Sequence, residues 1–446
     1  MRRSSTIAVL LLLIMSLPSA WADELTPESE LATIIEAAKK NPLARAAQER
    51  TRAALAQEDE AAGYLWPSIN ATSFLAPSPE IRCDNAACTQ TSPNDVRVNV
   101  AGLFAGVRLD LTQPLYTAGK IDSMRGAAKS ASRASAALED ELAGEIATLA
   151  AKAYFGYLLA QELLWMLEEG AEHIESGRQT LEKKLKEGSA DVTVQDRFRI
   201  QSLQAEVGAR IADAQQAKTL ALAGVRALLG EADAELTGGL LEPLVFNLKS
   251  SEPGSQSDDP KVRAAQHGVA AQRALESFEK RSFLPSLALV GGLNIARAQG
   301  VDDAPSAFAR DPFNTTSAYV ALTAKWTLAP MVQHARLRRR QAQRRQAVAT
   351  HEAAQRLATL AGTEAMSRAQ QAKSRLDVLQ EGERAGKAWV ASVLQADAIG
   401  AASAKDLADA YVAYFAARGH VLESVYQWNL AVYELRRRAG EFSASY

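Results

Sequence analysis

The chain is written twice, and that repetition limits its fold more than any other feature. Asn41-Pro42-Leu43-Ala44-Arg45-Ala46-Ala47 returns as Asp259-Pro260-Lys261-Val262-Arg263-Ala264-Ala265, 218 residues later. Leu65-Trp66-Pro67-Ser68 returns as Phe283-Leu284-Pro285-Ser286 at the same interval of 218. Gly188-Ser189-Ala190 answers Gly400-Ala401-Ala402 at 212, and Ala227-Leu228-Leu229-Gly230-Glu231 answers Arg437-Arg438-Ala439-Gly440-Glu441 at 210. The shrinking interval is that of a repeat unit of about 210 residues carrying a few deletions. Chance likeness between Ala-rich helices does not account for matched Pro-Ser breaks.

Each copy has one order of elements. Repeat 1 covers residues 23–231, a linker rich in Gly, Pro, Ser and Asp covers 232–258, and repeat 2 covers 259–446. In the first copy a helix is expected over 26–65, stopped at Trp66-Pro67 because a proline disfavours helical geometry before it. Alternation then predicts strands at 68–80 and 96–113, with a bulge near Ala101-Gly102 where the alternating positions change parity. A long helix over 120–187 and a helix over 190–229 follow, parted at Gly188. The second copy predicts a helix over 260–283, strands at 285–298 and 317–328, and helices over 331–398 and 401–438.

Length then decides the fold class. A helix of this length rises ~100 Å at about 1.5 Å per residue, too long for a compact domain. Such rods must lie along one another as coiled coil, and the plentiful Ala permits close approach. The class is mixed α/β: a long coiled-coil helical barrel plus four antiparallel strands per protomer. Strands of about ten residues are long enough to cross a bilayer. Four cannot close a barrel, and open edges are forbidden in lipid. Closure therefore requires oligomerisation, and three chains would make an even barrel of about twelve strands.

Composition agrees with export to an envelope. Arg2 and Arg3, the apolar run Ile7–Leu17 and the Ala20-Trp21-Ala22 cleavage pattern mark residues 1–22 as a secretory signal peptide, the mature chain beginning at Asp23. No later apolar stretch reaches the ~18 residues of a membrane helix. With 50 basic and 52 acidic residues, nucleic acid is not an expected partner. In an oxidising compartment Cys83 and Cys88 read as a small disulfide loop rather than a metal site, which needs more ligands nearby.

Strand pairs set between very long helices, all duplicated, resemble the TolC-like outer-membrane efflux family over nearly all of residues 26–441. The specific motifs are the Asn-Pro…Ala-Ala helix closing on Trp66-Pro67-Ser68 and the turn Leu111-Thr112-Gln113-Pro114-Leu115-Tyr116-Thr117-Ala118-Gly119-Lys120. Gly400-x-x-Ser403-x-x-Asp406-Leu407-x-x-Ala410 and Tyr426-x-x-Asn429-Leu430-Ala431-x-x-Glu434-Leu435 are equally telling. The resemblance implies a homotrimer in the outer membrane, with a twelve-stranded barrel in the lipid and a helical tunnel in the periplasm. It also implies a periplasmic membrane-fusion adaptor and an inner-membrane pump of RND or ABC type as partners. Two departures stand out: Leu328-Ala329-Pro330-Met331 lacks the Gly pair usual in that turn, and Val194 stands where the second copy has Asp406.

The residues that carry function are electrostatic and conformational, and no enzyme is expected. His173, His267, His334, His351 and His420 are scattered without metal spacing, so neither metal nor cofactor is expected. Asp406 and Asp409 share a helix face. By resemblance they line the periplasmic aperture, a ring of six carboxylates in a trimer, attracting cations and repelling one another; the plain alternative is a solvated face. Asp191 and Asp196 are the nearest acids in the first copy. Gly188 and Gly400 suit left-handed helix-helix turns. By resemblance the adaptor docks at these turns, beside Ser189, Ala401, Ala402 and Ser403. Arg336, Arg338, Arg339, Arg340, Arg344 and Arg345 crowd the start of the second long helix, either as a headgroup contact or as an acid-paired surface. Trp66, Tyr116 and Trp326 fall at strand ends, as interfacial anchors or as junction packing.

The function expected is a passive channel-tunnel for small toxic molecules. The same fold serving type I protein secretion is the alternative, and a periplasmic coiled-coil adaptor without a pore is the reading from another class.

Overall fold

The computed structural model describes residues 27–80, 97–188, 192–248, 258–301, 303, 313–399, 401–402 and 404–442. The signal segment, Cys83, Cys88, Ser189, Asp191, Gly400 and Ser403 lie outside them. The elements are α1 (Pro27–Ala38), α2 (Pro42–Gly63), β1 (Ser68–Glu80), β2 (Arg97–Tyr116), α3 (Lys120–Lys186), α4 (Val194–Leu229), α5 (Pro260–Arg281), β3 (Ser286–Ala298), β4 (Thr315–Lys325), α6 (Pro330–Ala398) and α7 (Ala404–Arg438). The chain is mostly helical, with a single four-stranded antiparallel sheet in the order β1-β2-β3-β4.

The first helix differs from expectation. A single helix over 26–65 is replaced by α1 and α2, parted at Lys39–Asn41. Pro42 is the cause. It has no N–H to give the preceding turn and its ring disfavours helical geometry at Asn41, yet it suits the first position of a new helix. Elsewhere, α2 and α5 are each 22 residues and start 218 apart, and β1 and β3 are each 13 residues at the same interval.

Contacts divide the chain into two units. One holds residues through Asn41, Ile146–Phe246 and Ala369–Tyr433. Its core is built from Leu31, Tyr154, Leu158, Val225, Leu376, Trp428 and Val432, all buried. Small residues let its helices approach closely: a Cβ at Gly224 would sit 3.5 Å from that of Ala153, joining α4 to α3. The segment 232–246 has no regular structure, so its backbone needs partners from side chains. Asn429 supplies two: the Leu244 N–H donates to its Oδ1 at 2.9 Å, and its Nδ2 donates to the Glu242 carbonyl at 2.9 Å. Trp428 Nε1 donates to the Leu244 carbonyl at 2.9 Å. The Thr237 N–H donates to Glu30 Oε1 at 2.6 Å, and the Tyr154 hydroxyl donates to the other oxygen at 2.7 Å. The Asn429 motif is thus a strap for the linker.

The other unit holds Pro42–Glu145, Asn247–Arg368 and the chain from Glu434 onward. It contains the sheet, α2, α5, and the first parts of α3 and α6. Ion pairs knit its helices. Arg263 meets Asp140 at 2.8 Å, Arg344 meets Glu276 at 2.6 Å, and the buried Glu141 takes both Lys261 at 2.9 Å and Arg437 at 2.6 Å. Burial pushes the Glu141 carboxyl up, but the two cations outweigh it and hold the group below its ordinary range.

Candidate transmembrane sheet and helix turns

The sheet is two-faced, and its register shows how. Ile69 pairs with Leu111, Ala71 with Leu109, Ser73 with Val107, and Leu75 with Ala105. Leu111, Leu109 and Val107 pair onward with Gly291, Leu293 and Ile295, and these pair with Val320, Ala318 and Thr316. Residues directly opposite in a ladder share a face, so one side is nearly all aliphatic from β1 to β4. It is also open: Ile69 is 69% exposed, Leu75 71%, Val320 77% and Leu322 66%. In the ladder from Ser68 to Pro77, the one charged residue on this face among the described residues is Arg297, near the end of β3.

The opposite face is polar. Thr72, Arg108, Asn294 and Ser317 form one row across the four strands, and Asn70, Asp110, Gly292 and Tyr319 form the next. Two glycines on this face lie beneath aromatic rings. A Cβ at Gly106 would fall 2.6 Å from Phe74, and one at Gly292 would collide with Tyr319. Glycine is required at both places because a ring occupies the space a side chain would take. Phe74 also meets Phe104 edge-to-face at 4.8 Å.

Length and ends complete the picture. The strands run 13, 20, 13 and 11 residues, at or above the ~9–11 needed to cross a bilayer at a tilt. Trp66, Tyr116 and Trp326, 76%, 54% and 58% exposed, lie at the same end of the sheet, where helices join strands. Trp326 keeps its indole N–H satisfied by donating to the Phe283 carbonyl at 2.9 Å. In β2 the register against β1 steps between Pro77–Leu103 and Ser78–Asn99. That leaves Val100–Gly102 unpaired with β1, the position where alternation changes parity. No described helix is long and apolar enough to cross a membrane. By their length and two-faced pattern the strands are the candidate membrane elements.

The helix turns lie in the other unit. Gly188, just past α3, has φ +71°, and a Cβ there would meet no atom within 4 Å. The need for glycine is therefore conformational rather than steric. Thr193 caps α4. Its hydroxyl accepts from the Asp196 N–H, while its own N–H donates to Asp196 Oδ2 at 2.9 Å. These bonds from Thr193 hold the Asp196 carboxyl below its ordinary range. Asp196, one of the first-copy acids, thus serves as a helix cap.

Asp406 and Asp409 both lie in the first two turns of α7, with Asp406 exposed. Asp409 forms an ion pair with Arg199 of α4. The sequence reading missed Arg199. The repeat interval was the available signal, because Arg199 and Asp409 lie 210 residues apart. Nearby, Val390, Val393 and Ala410 form a small core with Ala402, Leu407, Tyr411 and Tyr414 packed on it. Tyr411 stacks on His173 of α3 at 4.7 Å. Of the Arg-rich run, Arg340 and Arg344 are acid-paired to Glu279 and Glu276 of α5.

Residues 255–441 match the family described as outer membrane efflux protein. No curated protein sequence matches the chain. Among solved structures, a membrane protein from Pseudomonas aeruginosa superposes with a TM-score of 0.75 at 18% identity, over 92% of this chain and 93% of that one. The Neisseria gonorrhoeae MtrE outer membrane channel, solved in its open state, superposes with a TM-score of 0.71 at 19% identity, over 92% and 89%. The Campylobacter jejuni CmeC outer membrane channel gives a TM-score of 0.74 at 16% identity, over 95% and 91%. At these identities the likeness is one of fold, and it spans nearly the whole of each chain.

Proposed function

We propose, from the match of residues 255–441 to the outer membrane efflux protein family, that the protein is one subunit of an outer-membrane channel that conducts solutes from the periplasm to the exterior. The observation that carries this is the sheet. It has an aliphatic open face, a polar face, and two edge strands, β1 and β4, without partners in the chain. Such a sheet is unstable in water on one side and in lipid at its edges. Copies placed edge to edge remove both faults, and three would give about twelve strands, an even number usual for outer-membrane barrels. The aliphatic face then meets lipid and the row of Arg108, Asn294 and Ser317 lines the lumen.

In this reading the long helices continue the conduit into the periplasm. An adaptor docks at the turns marked by Gly188 and Gly400 and links the channel to an inner-membrane pump. The cargo is small toxic molecules, with the pump selecting what enters. The sequence duplication makes each subunit contribute two similar sectors of the wall. A pore-free adaptor is disfavoured because it leaves the aliphatic sheet face without a use. The test is reconstitution of detergent-purified protein in planar bilayers. Stepwise conductance from a species of about three subunits is expected; a soluble monomer without conductance would end the reading.

A further inference from the structure

The two copies agree in their contacts as well as their lengths, and the agreement identifies an unfilled joint. Glu276 of α5 accepts from Arg344 of α6 at 2.6 Å. Glu58 of α2, 218 residues before Glu276, accepts from Ser132 of α3 at 2.9 Å, and Ser132 lies 212 before Arg344. The α2–α3 contact therefore repeats α5–α6. However, α5 has a second neighbour. It meets α3 through Arg263–Asp140 at 2.8 Å, Ser277–Ser123 at 3.5 Å, and Ala274, whose Cβ is 3.7 Å from where one at Gly126 would be. The corresponding positions are Arg45, Asp59 and Ala56 on α2, and Glu352, Ala335 and Arg338 on α6. All six are exposed.

We propose that α6 of one subunit packs on α2 of a second copy, in the register that α3 adopts on α5. This rests on the reading of the chain as one subunit of a shared barrel, and it names the side chains that join the subunits. Charge supports the register. The Arg263–Asp140 pair becomes Arg45–Glu352, again basic against acidic, and neither residue forms an ion pair among the described residues. Asp59, also unpaired there, comes opposite Ala335, flanked on α6 by Arg336 and Arg339. The exposed Met331, 86% accessible, comes over Gly63, which has open space around it. The basic run left over after Arg340 and Arg344 are paired thus faces the acidic end of α2.

Cysteine cross-linking tests the register. Ala56→Cys with Arg338→Cys, in a chain carrying Cys83→Ser and Cys88→Ser, should oxidise to covalent oligomers on a denaturing gel. Gly126→Cys with Ala274→Cys should close within one chain, since its Cβ separation suits a disulfide. Separately, Glu352→Arg should cut severalfold the fraction of oligomer surviving mild heating in detergent, and Arg45→Glu in the same chain should restore it. An oligomer of normal mass whose control pair closes, but which gives no intersubunit link, overturns this register and leaves the channel reading standing. A swap that fails to rescue counts the same way where the cysteine variant does not fold. A monomeric wild-type protein overturns both.

Discussion

At the residue scale the informative groups are carboxylates with assigned partners. Glu141 is held below the ordinary carboxylate range by Lys261 and Arg437. A depressed carboxylate stabilises the fold above its unfolded value of about 4.3, and that contribution is lost as pH falls through the lower folded value. Glu141→Gln should therefore lower stability at neutral pH by about 2 kcal/mol, between the values for exposed and buried pairs. The difference from wild type should shrink as pH falls below about 4.3 and through the lower folded value. Thermal melts followed by circular dichroism across that range check it, and a gap that persists in acid counts against the assignment. Asp409 and Arg199 form the second such pair. Charges at a constriction set ion preference. Asp406→Ala with Asp409→Ala should raise cation leak or weaken block by divalent cations, and Arg199→Ala should strengthen that block. Single-channel currents identical to wild type in both variants would overturn the proposal that these residues line an aperture.

At the scale of elements, the sheet makes the sharpest demand. Its two faces differ in what they tolerate, because one is proposed to meet lipid and the other water. Val107 lies mid-strand on the aliphatic face, and Thr72 lies on the polar face beside Arg108. Val107→Arg should destabilise the folded barrel by about 2–4 kcal/mol, the cost of a cation near the bilayer midplane. Thr72→Arg should fold normally and shift conductance toward anions. The heat-modifiable band on gels reads the first and reversal potentials read the second. Equal folding of both variants would mean the face assignment is wrong. The helices were legible to within a few residues because their signals are local. Pro67 and Pro285 stop α2 and α5, and Ala-rich periodicity carries α3 and α6 without a break. The split at Pro42 was missed, because the Ala-rich run on both sides of the proline reads as one helix.

At the scale of the molecule, the proposed function belongs to an assembly that one chain only partly specifies. The described sheet ends in two edges without partners, and the second faces of α2 and α6 are exposed. These vacancies lie at opposite ends of the element order, on β1 and α2 in the first half of the chain and on β4 and α6 in the second, which is how a chain presents complementary ends to its own replicas. Asn429 and Trp428 illustrate the limit of reading a motif. The sequence marks Asn429 as distinctive and passes over Trp428, and the work of both, holding residues 242–244, is visible only when the linker and α7 are in contact.

The sequence by itself determined the element order, the four alternating strands, the parity change in β2 and the length of the rods, because period, proline and glycine act over a few residues. Only the tertiary structure decided which face of the sheet is continuous, which arginines are paired, and that Arg199 meets Asp409. Those depend on register and on contacts between residues some 200 positions apart. Local chemistry has no means of encoding such contacts until the chain has folded.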